Sequence, residues 1–190
     1  MMRGAVLPTL IAASAFAQPA LATRNTEGLV ITTFIQRCLE PMRAGKLPDV
    51  SGLKAAEGSP APGTPGSDIT YANVDGPMSM RVQTIRAGMT SCDLAVDLTQ
   101  GFDLGQVSTV LAGQLHDADF KPKASCDSGA IREMRVFEGP ASADGSRLGV
   151  LSFVISLGDP SPDQLNLIVA ESDQPVGSGD DCTEPSGAMR

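Results

Sequence analysis

Residues 90–120 constrain the fold most, because the hydrophobic period changes in the middle of them. Cys92, Leu94, Val96 and Leu98 alternate with Asp93, Ala95 and Asp97, which gives an extended chain one apolar and one polar side. After Gly101, the residues Leu104, Val107, Leu111, Leu115 and Ala118 recur at spacings of three and four and share one face of a helix. Asp103 stands at the N-cap, with Gln106 three residues on completing a capping box. A half-buried strand that runs into an amphipathic helix implies a sheet against which both are packed.

The N-terminus carries an export signal. Met1-Met2-Arg3 is a basic start, residues 5–17 are apolar, and Ala20-Leu21-Ala22 is a small-x-small cleavage site, with Ala15-Phe16-Ala17 as a second one. The apolar run, about 13 residues interrupted by Pro8, is shorter than the roughly 20 that a spanning helix needs. No Cys stands at the cleavage point to take a lipid, and no later stretch reads as a membrane span. The expectation is a signal peptide over 1–22 and a soluble mature protein, periplasmic or secreted. The whole chain's balance of 14 Lys and Arg against 22 Asp and Glu, net −8, argues against nucleic acid or anionic lipid as a partner, since both need clustered cations.

Four cysteines, Cys38, Cys92, Cys126 and Cys182, in an exported chain predict two disulfides. The absence of any CxxC removes the motif of a thioredoxin-like centre or a zinc knuckle. Three pairings are open. The helix after Cys92 returns the chain by roughly 20 Å at 1.5 Å per residue, which favours Cys92 with Cys126 and leaves Cys38 for Cys182.

A first helix is expected from a cap at Asn25 or Thr26 to about Glu40, with Val30, Ile31, Phe34, Cys38 and Met42 near one face and Pro41 ending it. The β-branched content of residues 29–39 leaves a strand open as the alternative. One more helical turn is expected within 47–57, and a Pro/Gly-rich loop over 58–67. Strands are expected at 69–75, 78–86 and 90–98, and in a second series at 131–138, 148–157 and 165–171. Leu151, Phe153, Ile155 and Leu157 fall on one side of their strand, and Phe153 and Ile155 are expected to share the core with Leu94, Val96, Leu111 and Leu115. Residues 148–157, apolar on both sides, are expected at the middle of the sheet. The polar residues 173–190 read as a flexible tail. The expected architecture is a single α+β domain over 23–172, with one mainly antiparallel sheet of five to six strands packed against two helices in the order α-ββ(β)-α-βββ. This order is similar to that of profilin-like and roadblock-like sheets, and unrelated folds share it.

No residue constellation names a reaction. His116, the only histidine, falls on the solvent side of its helix beside Asp117, and no G-x-S-x-G elbow is present. His116 with Asp117 and Asp119, or Asp180 and Asp181 with Glu184, offers metal ligands, but neither has the spacing of an EF-hand or a zinc site. Met78 and Met80, with Met89 nearby, offer soft sulfur to copper, although methionine alternating in a strand is ordinary core filler. Glycine loops for phosphate are missing, and the lack of Trp weakens a sugar-stacking site. No cofactor and no metal is therefore expected. The function expected is a non-enzymatic binding or assembly module with a protein partner; the alternatives are a carboxylate-dependent hydrolase and a metal or copper handling protein.

Overall fold

The structure, a computed structural model, describes residues 26–76, 78–87, 89–98, 102–128, 130–141, 146–158 and 161–172, without the side chains of 126–128. The expected signal peptide over 1–22, the residues after 172 and Cys182 lie outside the described residues. Within them, seven strands form one antiparallel sheet and two helices pack on it, a mixed α+β fold. The strands are β1 Ser67–Tyr71, β2 Met78–Arg86, β3 Met89–Asp97, β4 Lys121–Ser128, β5 Ile131–Ala141, β6 Arg147–Ile155 and β7 Gln164–Ser172. Their spatial order is β1-β2-β3-β7-β6-β5-β4, so two meanders meet where β3 pairs with β7. The element order is thus α-βββ-α-ββββ, with one strand more than the sequence indicated.

The additional strand is β4, Lys-Pro-Lys-Ala-Ser-Cys-Asp-Ser, which has no apolar alternation to betray it. It forms one edge of the sheet, where lysines and a proline discourage further pairing. The middle position belongs to β7, with β6 beside it; the doubly apolar pattern of β6 reflects an interior strand rather than the central one.

The first helix, α1, is continuous but not uniform. Thr26–Thr33 is α-helical, Phe34–Leu39 π-helical and Glu40–Arg43 α-helical, with Thr33 and Leu39 themselves in helical conformation. The β-branched segment is therefore helix, fixed by an apolar stripe of Val30, Ile31, Phe34, Cys38 and Met42 that is buried throughout. Pro41 causes the irregularity without ending the helix: it has no N–H to offer the turn before it, and the Glu40 N–H reaches back five residues to the Ile35 carbonyl. The Arg37 carbonyl accepts instead from the Asp49 N–H at 2.7 Å. The Arg37 side chain closes the same corner, donating to the Asp49 and Ser51 carbonyls at 3.2 Å and pairing with Asp75 at 2.7 Å. No helical turn forms within 47–57; Gly52, at φ +75°, turns the chain, and Ala55 bridges to Tyr71.

Helix α2, Leu104–Asp117, has the expected N-cap, with the Asp103 carboxylate accepting from the Gln106 N–H at 2.9 Å, but the reciprocal half of the capping box does not form, since the Asp103 N–H donates to Glu27 rather than to Gln106. It carries the chain from β3 to β4 and buries Val107, Leu111 and Leu115. The sheet answers with rows of apolar residues: Ile69, Val82, Cys92, Val169, Val150 and Phe137 stand opposite one another across six strands. A second row runs Tyr71, Met80, Leu94 and Leu167 and ends on the buried polar Ser152. On β6 the helix-facing residues are consequently Leu148, Val150, Ser152 and Val154. Leu151, Phe153 and Ile155 face outward, which corrects the expected core by one residue, the shift that exchanges the two faces of a strand.

Cys38 of α1 is bonded to Cys92 of β3, with Cα atoms 5.6 Å apart. The expected pairing of Cys92 with Cys126 and of Cys38 with Cys182 is overturned. The return path was sound in length and wrong in destination: β7, β6 and β5 intervene between β3 and β4, so α2 delivers Cys126 four strand spacings from Cys92, about 19 Å. The bridge instead nails α1 to the centre of the sheet, where the Met80 sulfur lies 3.9 Å from Cys38 Sγ.

Candidate functional site

Where α1 and α2 run beside each other, their solvent-facing flanks leave a groove of about 410 Å³. The core-facing stripe of each helix fixes the placement of the next residues around it. On α2, Val107, Leu111 and Leu115 turn inward, so Gln106, Val110 and Gln114, one position earlier, line the groove. On α1, Ile31 and Ile35 make the apolar floor, with Ile31 largely buried and Ile35 half-buried. Val110 is 42% exposed, one of four large hydrophobic residues that stand in solvent among the described residues. The walls are uncharged polar side chains, Thr32 and Gln36 facing Gln106 and Gln114, and the ends carry Glu27 and Glu40. Glu27 also braces the corner between the helices: its carboxylate accepts from the Asp103 N–H at 2.9 Å.

The outer face of the sheet holds a second cluster. Asp93 stands between Arg81 on β2 and Ile168 on β7. Burial pushes its carboxyl up to about 6, with Arg81 opposing the shift, and its Oδ1 has no hydrogen-bond partner among the described residues. Arg81 is engaged elsewhere, in a two-pronged ion pair with Asp68, whose carboxyl that guanidinium holds below the usual range. Further along the same face, Glu138 is covered by the side chains that bind it, Lys123 at 2.8 Å and Arg147. The Lys123 ammonium, then the Arg147 guanidinium, keep its carboxyl low against the cost of burial. The sheet and both helices separate this face from the groove.

His116 and Asp117 are exposed in the last turn of α2, and Asp119 follows in the turn after it at φ +64°. The structure does not gather them with further ligands, and among the described residues no cluster of three or more His, Cys, Asp or Glu side chains could hold a metal. Asp180, Asp181 and Glu184 lie outside the described residues. Met78 and Met80 are enclosed in the core at 2% and 0% exposure, and Met89 is half-buried at the start of β3. The groove itself is not legible in the sequence, since Gln106 and Gln114, eight residues apart, look like an ordinary solvated face. The available signal was Val110, an apolar residue off the buried stripe. Among the described residues no helix is long and apolar enough to cross a membrane. No protein-family model, curated protein or solved structure matches the chain, so its likeness in element order to profilin-like and roadblock-like sheets gains no further support.

Proposed function

We propose that this is an exported binding or assembly module that works without catalysis, through the groove between α1 and α2. The observation that carries the reading is the composition of that groove: an apolar floor with amide walls suits recognition of another chain. Export rests on the signal-like N-terminus, and the Cys38–Cys92 bridge supports it, because such bonds persist in oxidising compartments. The test is selection of a displayed peptide library on the full mature chain. Binders whose affinity falls with Val110→Asp and is unchanged by Leu157→Asp, an exposed site elsewhere, support the reading. A library that yields no groove-dependent binder overturns it.

A second reading, a carboxylate-dependent hydrolase, is favoured by one observation: Asp93 and Asp68 lie on either side of Arg81 with their proton affinities pushed apart. In that reading Asp93 is the acid. Turnover of an ester, glycoside or peptide panel that disappears in Asp93→Asn would establish it over the binding module.

A further inference from the structure

We infer that the groove takes an extended segment of a partner protein in which an apolar side chain stands next to a Lys or Arg. This rests on reading the protein as a binding module. The lining positions of α2 run eight steps from Gln106 to Gln114, roughly 12 Å at 1.5 Å per residue. That length matches about four residues of extended chain. Such a segment arrives with unpaired N–H and C=O groups along both edges. The side-chain amides of Gln36, Gln106 and Gln114 each supply donors and an acceptor, so they satisfy those groups from both walls. A helical ligand has its backbone bonds satisfied internally and leaves these amides unused. The floor of Ile31, Ile35 and Val110 then takes one apolar side chain, which alternates with neighbours pointing out of the groove.

Charge selects the neighbours. Glu27 and Glu40 mark the ends, no Lys, Arg or His is among the groove's lining residues, and the chain carries a net charge of −8. A basic residue flanking the apolar anchor is therefore drawn in, and an acidic or phosphorylated segment is repelled. Glu27 is already held by the Asp103 N–H, which makes Glu40 the end that is freer to turn toward a ligand.

The experiment measures fluorescence anisotropy of labelled hexapeptides with the full mature chain. The probes have an apolar centre and Lys flanks, the same centre with Glu flanks, or a Lys-flanked centre of Gly and Ser. The apolar Lys peptide should bind. Val110→Asp should weaken it roughly tenfold or more, the worth of a buried valine contact, and Glu40→Lys about fivefold, the upper range for an exposed ion pair. Raising salt should erase the Glu40 effect and leave that of Val110. Both positions are exposed, and unchanged unfolding midpoints confirm that the variants fold. Equal or tighter binding of the Glu-flanked peptide, or a library ligand that is helical, overturns this inference while leaving the binding module intact. Absence of any groove-dependent ligand from the library overturns both.

Discussion

Replacing Asp93 by Asn should stabilise the protein above neutral pH and do little in acid. The carboxyl of Asp93 is raised by burial from an ordinary 3.8 to about 6. Below pH 3.8 the group is protonated folded or unfolded and contributes nothing; above pH 6 it is ionised in both states, and the folded state carries the cost of the buried charge. A difference of about two pKa units corresponds to about 3 kcal/mol, at 1.36 kcal/mol per unit. Asn keeps the shape of the protonated side chain and removes the titration. Against the wild type, its advantage should therefore grow from about 1 kcal/mol at pH 4.5 to about 3 kcal/mol at pH 7.5. Paired carboxylates such as Asp68 and Glu138 work in the opposite direction, losing stability as pH falls, but they are common to both proteins and cancel in the difference. Urea unfolding curves at several pH values, disulfides intact, give the comparison. An advantage that does not change with pH, or a variant less stable than wild type at pH 7.5, would refute the buried placement of Asp93.

The other predictions concern the core and its fastenings. Leu111→Ala should cost roughly 2 to 5 kcal/mol, because Leu111 is 1% exposed, whereas His116→Ala should leave the unfolding midpoint unchanged. Gly139→Ala should cost about 1 to 3 kcal/mol of stability and lower the unfolding midpoint, since a Cβ there would meet the buried Phe120 ring at 2.8 Å. Loss of the Cys38–Cys92 bridge by double replacement with Ser should cost about 4 kcal/mol, the chain-entropy value for a separation of 54 residues. With that pair made, the even count assigns Cys126 to Cys182, and non-reducing peptide mapping should recover both links; a Cys38–Cys182 peptide would contradict the first.

Much of the fold was legible wherever one face of an element is buried and the other wet. β3 and α2 announced themselves in this way, and the Asp103 cap needed only local chemistry. The strand–helix ambiguity at residues 29–39 is a matter of long-range packing: the turn Phe34–Leu39 packs on β3 and β7, and the stripe from Val30 to Met42 is buried. β4 was hidden because an edge strand bears few apolar residues. The outward face of β6 was misread because Leu151, Phe153 and Ile155 are as apolar as the residues that face the helices. The disulfide depended on topology, namely the insertion of the second meander against β3, which no local pattern encodes. The groove was hidden for a related reason. Its residues are distinguished by the neighbouring helix, and each helix alone displays only a polar flank with one valine out of place.

The most direct test of the central claim is amide chemical-shift mapping of the isotopically labelled protein during titration with the apolar, Lys-flanked hexapeptide. Shifts should concentrate along both walls of the groove, at residues 27–40 of α1 and 106–114 of α2, with β5 and β6 silent. Shifts confined to the outer face around Asp93, Leu151 and Ile168, with the helices silent, would contradict it.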